Sequence, residues 1–145
     1  MLNQTNSSDK RLFYKLNISQ RLLLKYVDRE STNKLDVPVI QTAALFYLMK
    51  NDGCLLKELS AALMQNKSAT TTLAERMEKN GLIVKKNSET DGRALNLFLT
   101  DKGRDISNQA QSLMTEFNRE LLEPFSKTEI KIIHGFLNTI IETYR

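Results

Sequence analysis

Residues 58–103 read ELSAALMQNKSATTTLAERMEKNGLIVKKNSETDGRALNLFLTDKG, and this stretch decides the fold. It opens with a short apolar-marked helix, Glu58 to Leu63, in which Leu59, Ala62 and Leu63 are the core candidates. Asn66 is placed to cap a second helix running from about Lys67 to Asn80. Thr70, Leu73, Ala74 and Met77 recur at helical spacing and form its inward face. Gly81 ends it, as glycine does where the chain must turn left-handed. Leu82 to Lys86 then reads as a strand, Asn87 to Gly92 as a turn-rich connection, and Ala94 to Leu99 as the returning strand. In the returning strand Leu95, Leu97 and Leu99 alternate with Ala94, Asn96 and Phe98. The connection is longer than a tight hairpin turn, so its tip projects. Two compact helices followed by a projecting hairpin predict a helix-turn-helix with a β-hairpin wing.

Outward from this stretch the chain is helical. Upstream, Leu12, Leu16, Leu23 and Val27 share a stripe in a predicted helix from Asp9 to Arg29, widened by Phe13, Ile18 and Leu24. A polar break at Ser31 to Lys34 follows. Asp36 is expected to cap the next helix, with Pro38 in its first turn and Ile40, Ala43, Ala44 and Leu48 facing inward. Asn51-Asp52-Gly53 ends that helix, Gly53 taking the left-handed position. Downstream, Thr100 caps a helix to about Glu120 and Pro124 breaks it. Ser126 and Glu129 then make a capping box for a final helix to Tyr144. Ile130, Ile133, Leu137 and Ile140 or Ile141 line the apolar side of that last helix. Of the five glycines, each takes a turn or cap role except Gly135, which has none.

The expected class is mainly α with a small β-hairpin wing. Residues 1–8 read as a disordered leader, 9–34 and 101–145 as a helical dimerisation region, and 35–100 as the winged helix-turn-helix. At 145 residues and 16.6 kDa the chain is long enough to bury a core without staples. One cysteine and one histidine leave no Cys/His metal set. No apolar run reaches the 18 or so residues of a membrane span, and no secretory signal pattern is present, so a cytoplasmic protein is expected. The net charge of +4 permits an anionic partner. Its distribution argues for placement over bulk charge: residues 35–100 hold eight Lys/Arg against seven Asp/Glu, a net of only +1.

On the second helix of the motif the outward positions are Lys67, Ser68, Thr71, Thr72, Glu75 and Arg76. An α-helix fits the DNA major groove, where short hydroxyls allow close approach and Arg76 could equally bind guanine through two hydrogen bonds or clamp a backbone phosphate. At the hairpin tip Arg93 follows Gly92, and an arginine is drawn into a narrow minor groove by its negative potential. Asp91 would be repelled by DNA; its expected task is to orient the Arg93 guanidinium. Lys85 and Lys86, on the ascending strand, are placed for phosphates.

The Lys67 to Met77 helix, Glu78-Lys79-Asn80-Gly81-Leu82-Ile83, Asp91-Gly92-Arg93 and Leu99-Thr100-Asp101-Lys102-Gly103 resemble the MarR (multiple antibiotic resistance regulator) family of winged-helix transcription factors. Gln41-x-x-x-Leu45-x-x-Leu48 and Leu122-Glu-Pro-Phe125 extend the resemblance over nearly the whole chain. It implies a homodimer with interleaved terminal helices that reads a palindromic operator in double-stranded DNA, a repressor in the expected case. In many members it implies release by a small aromatic or phenolic effector. By position, Asp91 and Arg93 fall on the family's wing pair, and Ser68, Thr71, Thr72 and Arg76 on its recognition helix. Met64-Gln65 departs from the usual Gly-Leu of the turn, while Thr72 and Lys85 each stand where arginine is frequent.

No catalytic residue and no cofactor are expected: His134, beside Ile133 and Gly135, is accompanied by no nucleophile or phosphate-binding loop. The competing reading is a winged-helix protein-interaction module without specific DNA binding, which would lack the steep salt dependence of phosphate contacts. Phe13, Tyr14, Phe46 and Tyr47 are the aromatic candidates for holding an effector. Cys54 is expected in the turn before the short helix, a structural rather than redox-active thiol.

Overall fold

A computed structural model describes residues 11–145; the expected leader, the first residues of the first helix and its predicted start at Asp9 lie outside the described residues. The order is α1 (Leu12–Leu35), α2 (Val39–Lys50), β1 (Cys54–Leu55), α3 (Leu56–Ala62), α4 (Lys67–Lys79), β2 (Ile83–Asn87), β3 (Leu95–Leu99), α5 (Asp101–Leu122) and α6 (Lys127–Tyr144). Two compact units divide it within α5, one covering residues 11–113 and the other Met114–Arg145.

The predicted break at Ser31 to Lys34 is helical. One of its polar residues turns inward instead of ending the helix: buried Ser31 donates to the Val37 carbonyl at 2.6 Å. The helix stops at Asp36, which is left-handed (φ 57) and donates its N–H to the Thr32 carbonyl. Asp36 therefore closes α1 rather than capping α2. The cap of α2 comes from the preceding helix, Asp28 Oδ1 accepting the Val39 N–H at 2.9 Å. The buried face of α2 is also rotated from the one expected. Gln41, Thr42, Ala44, Leu45 and Leu48 are buried, whereas Ile40 is exposed and Ala43 only half-buried.

The core lies between α2, α3, α4 and the sheet. Leu45, Leu48, Leu59, Met77, Leu82, Ile83 and Leu97 are fully enclosed, each apolar side chain contributing about 1.5–3 kcal/mol by burial. The sheet is antiparallel in the order β1-β3-β2. The third strand, β1, was not expected. Two residues carry no periodicity, and only the pairing of Cys54 with Leu97 and Leu55 with Asn96 defines it. Gly53, left-handed as expected (φ +81), lets its N–H reach the Leu97 carbonyl at 2.8 Å. Asp52 holds the same junction, accepting from Leu99 N–H at 2.8 Å and from the Arg104 guanidinium at 2.6 Å.

Thr100 caps α5 as expected: its Oγ1 accepts the Gly103 N–H at 3.0 Å and donates to the Gly81 carbonyl at 2.6 Å. Gly103 has neither a turn nor a cap role. It is buried inside α5, where an added Cβ would lie 2.1 Å from the Leu82 carbonyl oxygen, so only a hydrogen fits between helix and chain. The Ser126–Glu129 capping box opens α6 as predicted. None of its residues is buried, and Ile132 (66%), Phe136, Leu137 and Ile141 are exposed. Around Gly135 the space within 4 Å is open.

Candidate nucleic-acid interface

The helix pair is locked by its turn. At the end of α3 the Gln65 N–H bonds back to Ser60 and the Met64 N–H to Ala61, the paired bonds of a Schellman motif. That motif needs a left-handed residue, and Met64 supplies it at φ 52 although it has a Cβ. A hydroxyl cluster then fixes α4 against α3. Buried Thr70 Oγ1 lies 3.1 Å from Ser60 Oγ and 3.3 Å from Gln65 Oε1, and Ser60 Oγ donates to the Gln65 carbonyl at 2.8 Å. The apparent departure at Met64-Gln65 thus preserves the turn, with glutamine adding a polar contact to it.

α4 begins at Lys67, and Asn66 Oδ1 accepts the Ala69 N–H at 2.8 Å, as its sequence required. Thr70, Leu73, Ala74 and Met77 are all buried, so the opposite face is set. Lys67, Ser68, Thr72, Glu75 and Arg76 are exposed on it. Thr71 is only half-buried from solvent, and its hydroxyl is already engaged with the Lys67 carbonyl at 2.8 Å. Lys79, eleven residues after Ser68 and so on the same face, is exposed beside them and joins the outward set by its spacing alone. The helix ends in a second Schellman motif, Gly81 N–H to Glu78 and Leu82 N–H to Met77, with Gly81 at φ +74.

The wing carries Arg93 at an exposed tip. Asp91 does not hold the guanidinium. Its Oδ1 accepts the Arg93 backbone N–H at 3.1 Å and its carbonyl accepts from Ala94, so it shapes the tip backbone and leaves the Arg93 side chain to solvent. The two lysines of the ascending strand part company. The Lys86 ammonium lies over the Phe98 ring, 5.1 Å from its centre, and is otherwise exposed. Lys85 is half-buried and turned onto Glu78, Nζ to Oε1 at 3.6 Å, instead of standing free for phosphate.

The four aromatic candidates have different surroundings. Phe13 (81%) and Tyr14 (63%) are open near the start of α1. Phe46 and Tyr47 are half-buried on α2, Tyr47 against the core. Cys54 sits in β1 rather than in a turn, and is buried. Burial and the nearby Glu58 and Asp52 carboxylates push its thiol up to about 11 from 9.0. A thiol held protonated at neutral pH is a poor nucleophile. Among the described residues no cluster of three His, Cys, Asp or Glu could hold a metal ion, and no helix is long and apolar enough to cross a membrane.

Comparison with known proteins agrees with this geometry. Residues 35–94 match the profile of the MarR family. The chain is 32% identical over 87 residues to the HTH-type transcriptional regulator BilQ of Clostridioides difficile strain CD3; the match takes in 60% of this chain and 59% of that regulator. In structure it resembles MepR of S. aureus in complex with DNA, with a TM-score of 0.83 at 20% identity over 92% of this chain and 98% of the other. It also resembles the transcriptional repressor CouR bound to a 23-mer DNA duplex, with a TM-score of 0.81 at 25% identity over 90% and 92% of the two chains. The profile match over the helix-turn-helix, the curated regulator and the whole-chain fold converge: this chain belongs to the MarR family of winged helix-turn-helix transcriptional regulators.

Proposed function

We propose that the protein is a sequence-specific double-stranded DNA-binding regulator, a repressor, acting as a homodimer on a palindromic operator in the cytoplasm. One observation carries the reading: within residues 11–113, α4 presents an exposed polar face while the wing presents Arg93 on a backbone shaped by Asp91. Ser68, Thr72, Arg76 and Lys79 then face the major groove, with Lys67 near the capped helix start, where phosphate is favoured. Thr71 lines the same face, its hydroxyl donating to the Lys67 carbonyl and keeping its acceptor lone pairs. Arg93 enters the adjacent minor groove. Lys86 stands beside the phosphates. The unburied apolar residues of α1 and α6 support the dimer, since a second copy would cover them.

Selection of duplexes from a random library at two salt concentrations tests this reading. The expected product is a palindrome with half-sites about one helical turn apart, lost as salt rises. Arg93→Ala should weaken binding to that duplex by about 1–3 kcal/mol while the dimer persists. Salt-insensitive recovery with no common sequence would overturn the proposal in favour of a protein-interaction module.

A further inference from the structure

We propose that Glu78 is a positioning residue that fixes the wing to α4, so that Arg93 and the outward face of α4 meet DNA as one rigid body. The inference rests on the DNA-binding reading above. β2 is an edge strand, since the sheet runs β1-β3-β2, and the outward N–H groups of an edge strand have no partner strand. Glu78, in the last turn of α4, takes the place of that strand at one point. Its Oε2 accepts the Lys85 N–H at 2.9 Å while Oε1 lies 3.6 Å from the Lys85 ammonium. Both carboxylate oxygens are therefore used on a single residue of the wing, in charge-assisted contacts.

The position of the clamp gives it leverage. Lys85 is in register with Leu97, which is fully buried, so the strand is held where the hairpin leaves the core. Toward the base, the helix and hairpin are already joined through Gly81, and Thr100 closes on Gly81 and Leu82. Toward the tip, β3 is held one residue further out by Asn96, which pairs with Leu55 and donates from Nδ2 to the Gly53 carbonyl at 2.7 Å, while Lys86 on β2 lies over Phe98; beyond these the contacts stay within the hairpin, the Ser88 N–H to the Ala94 carbonyl and Asp91 to Arg93. Among the described residues, Glu78 thus makes the outermost hydrogen bond from α4 to β2. A lever held at its root transmits small angular errors to its tip, and Arg93 is at the tip. The same geometry removes Lys85 from the phosphate contacts, because its charge is spent on Glu78.

The test reads amide hydrogen exchange at Lys85 and affinity for the selected duplex. It uses wild type, Glu78→Gln and Glu78→Ala, the last two also combined with Arg93→Ala. Loss of the acceptor in Glu78→Ala should speed Lys85 exchange by roughly tenfold or more. It should weaken duplex binding by roughly tenfold when Arg93 is present and have no effect when Arg93 is already alanine. Glu78→Gln keeps an oxygen for the Lys85 N–H and should stay near wild type in both readouts. Lys85→Ala should leave the slope of log affinity against log salt unchanged, where a lost phosphate contact lowers it by about 0.9. The proposal is overturned by unchanged Lys85 exchange in Glu78→Ala, by equal affinity losses in both Arg93 backgrounds, or by a reduced slope in Lys85→Ala. Wild type without a preferred duplex, but with Glu78-dependent exchange, would overturn the DNA role while leaving the clamp itself intact.

Discussion

α4 and α6 invert the usual relation between apolar content and burial. α4 carries four apolar residues in thirteen, Ala69, Leu73, Ala74 and Met77, and buries all but Ala69 together with Thr70. α6 carries eight in eighteen, counting Ile130, Ile132, Ile133, Phe136, Leu137, Ile140, Ile141 and Tyr144, and buries none. The first pattern is a narrow stripe matched to one neighbouring surface. The second is far more apolar than water tolerates as a solvent face. The winged unit is built around a core of its own, whereas α6 leaves its apolar side chains unburied. The two parts should therefore fail differently when mutated.

The largest effect is expected where the winged unit is tightest. Gly103→Ala drives a methyl group into the Leu82 carbonyl, and should cost at least about 3 kcal/mol in urea unfolding or prevent folding. Retention of wild-type stability would mean that α5 does not approach the chain so closely. On α6 the opposite is expected. Phe136→Glu, at an exposed position, should leave the fold of each chain intact but weaken the proposed self-association by about a hundredfold or more, since the charge would enter the proposed interface unpaired. Sedimentation should give half the wild-type mass, and an undiminished dimer would separate α6 from the interface.

Cys54 sharpens the comparison from inside the unit. At pH 8 its alkylation should run roughly a hundredfold slower in the folded than in the unfolded protein, the ratio of thiolate fractions for values of about 11 and 9.0. The sign for stability follows: burial favours the protonated thiol, so its contribution is full below pH 9.0 and lost as pH rises through about 11. Equal alkylation rates would place Cys54 at the surface and reopen a redox role. The smallest effect concerns the turn. Met64→Gly relieves a left-handed residue but adds backbone entropy to the unfolded chain, a net gain of about 0.5–1 kcal/mol. A lower thermal midpoint in that variant would show that the Met64 side chain itself holds the turn.

Much of this was legible because it is local. Asn66 before a helical stripe, Gly81 after it, and Ser126 three residues before Glu129 each satisfy backbone groups within a few residues, so their sequence spacing is their geometry. The outward set on α4 followed from the inward one, because helical periodicity ties the two faces together. What escaped were contacts between residues distant in the chain or hidden in polar segments. Ser31 and Asp28 look like break and surface residues, yet bond to Val37 and Val39 across the first turn. Asp36 looks like a cap for the helix that follows it and instead closes the one before.

By itself the sequence determined the winged helix-turn-helix, the buried face of α4, the exposed Arg93 and the family resemblance, since periodicity, caps and turn residues act at short range. Only the fold brings β1 to the sheet, requires Gly103 to lack a side chain and turns Lys85 onto Glu78. Each of those depends on which surfaces come within a few ångströms of one another. That is set by how the hydrophobic faces pack, and packing joins residues whose separation along the chain carries no pattern.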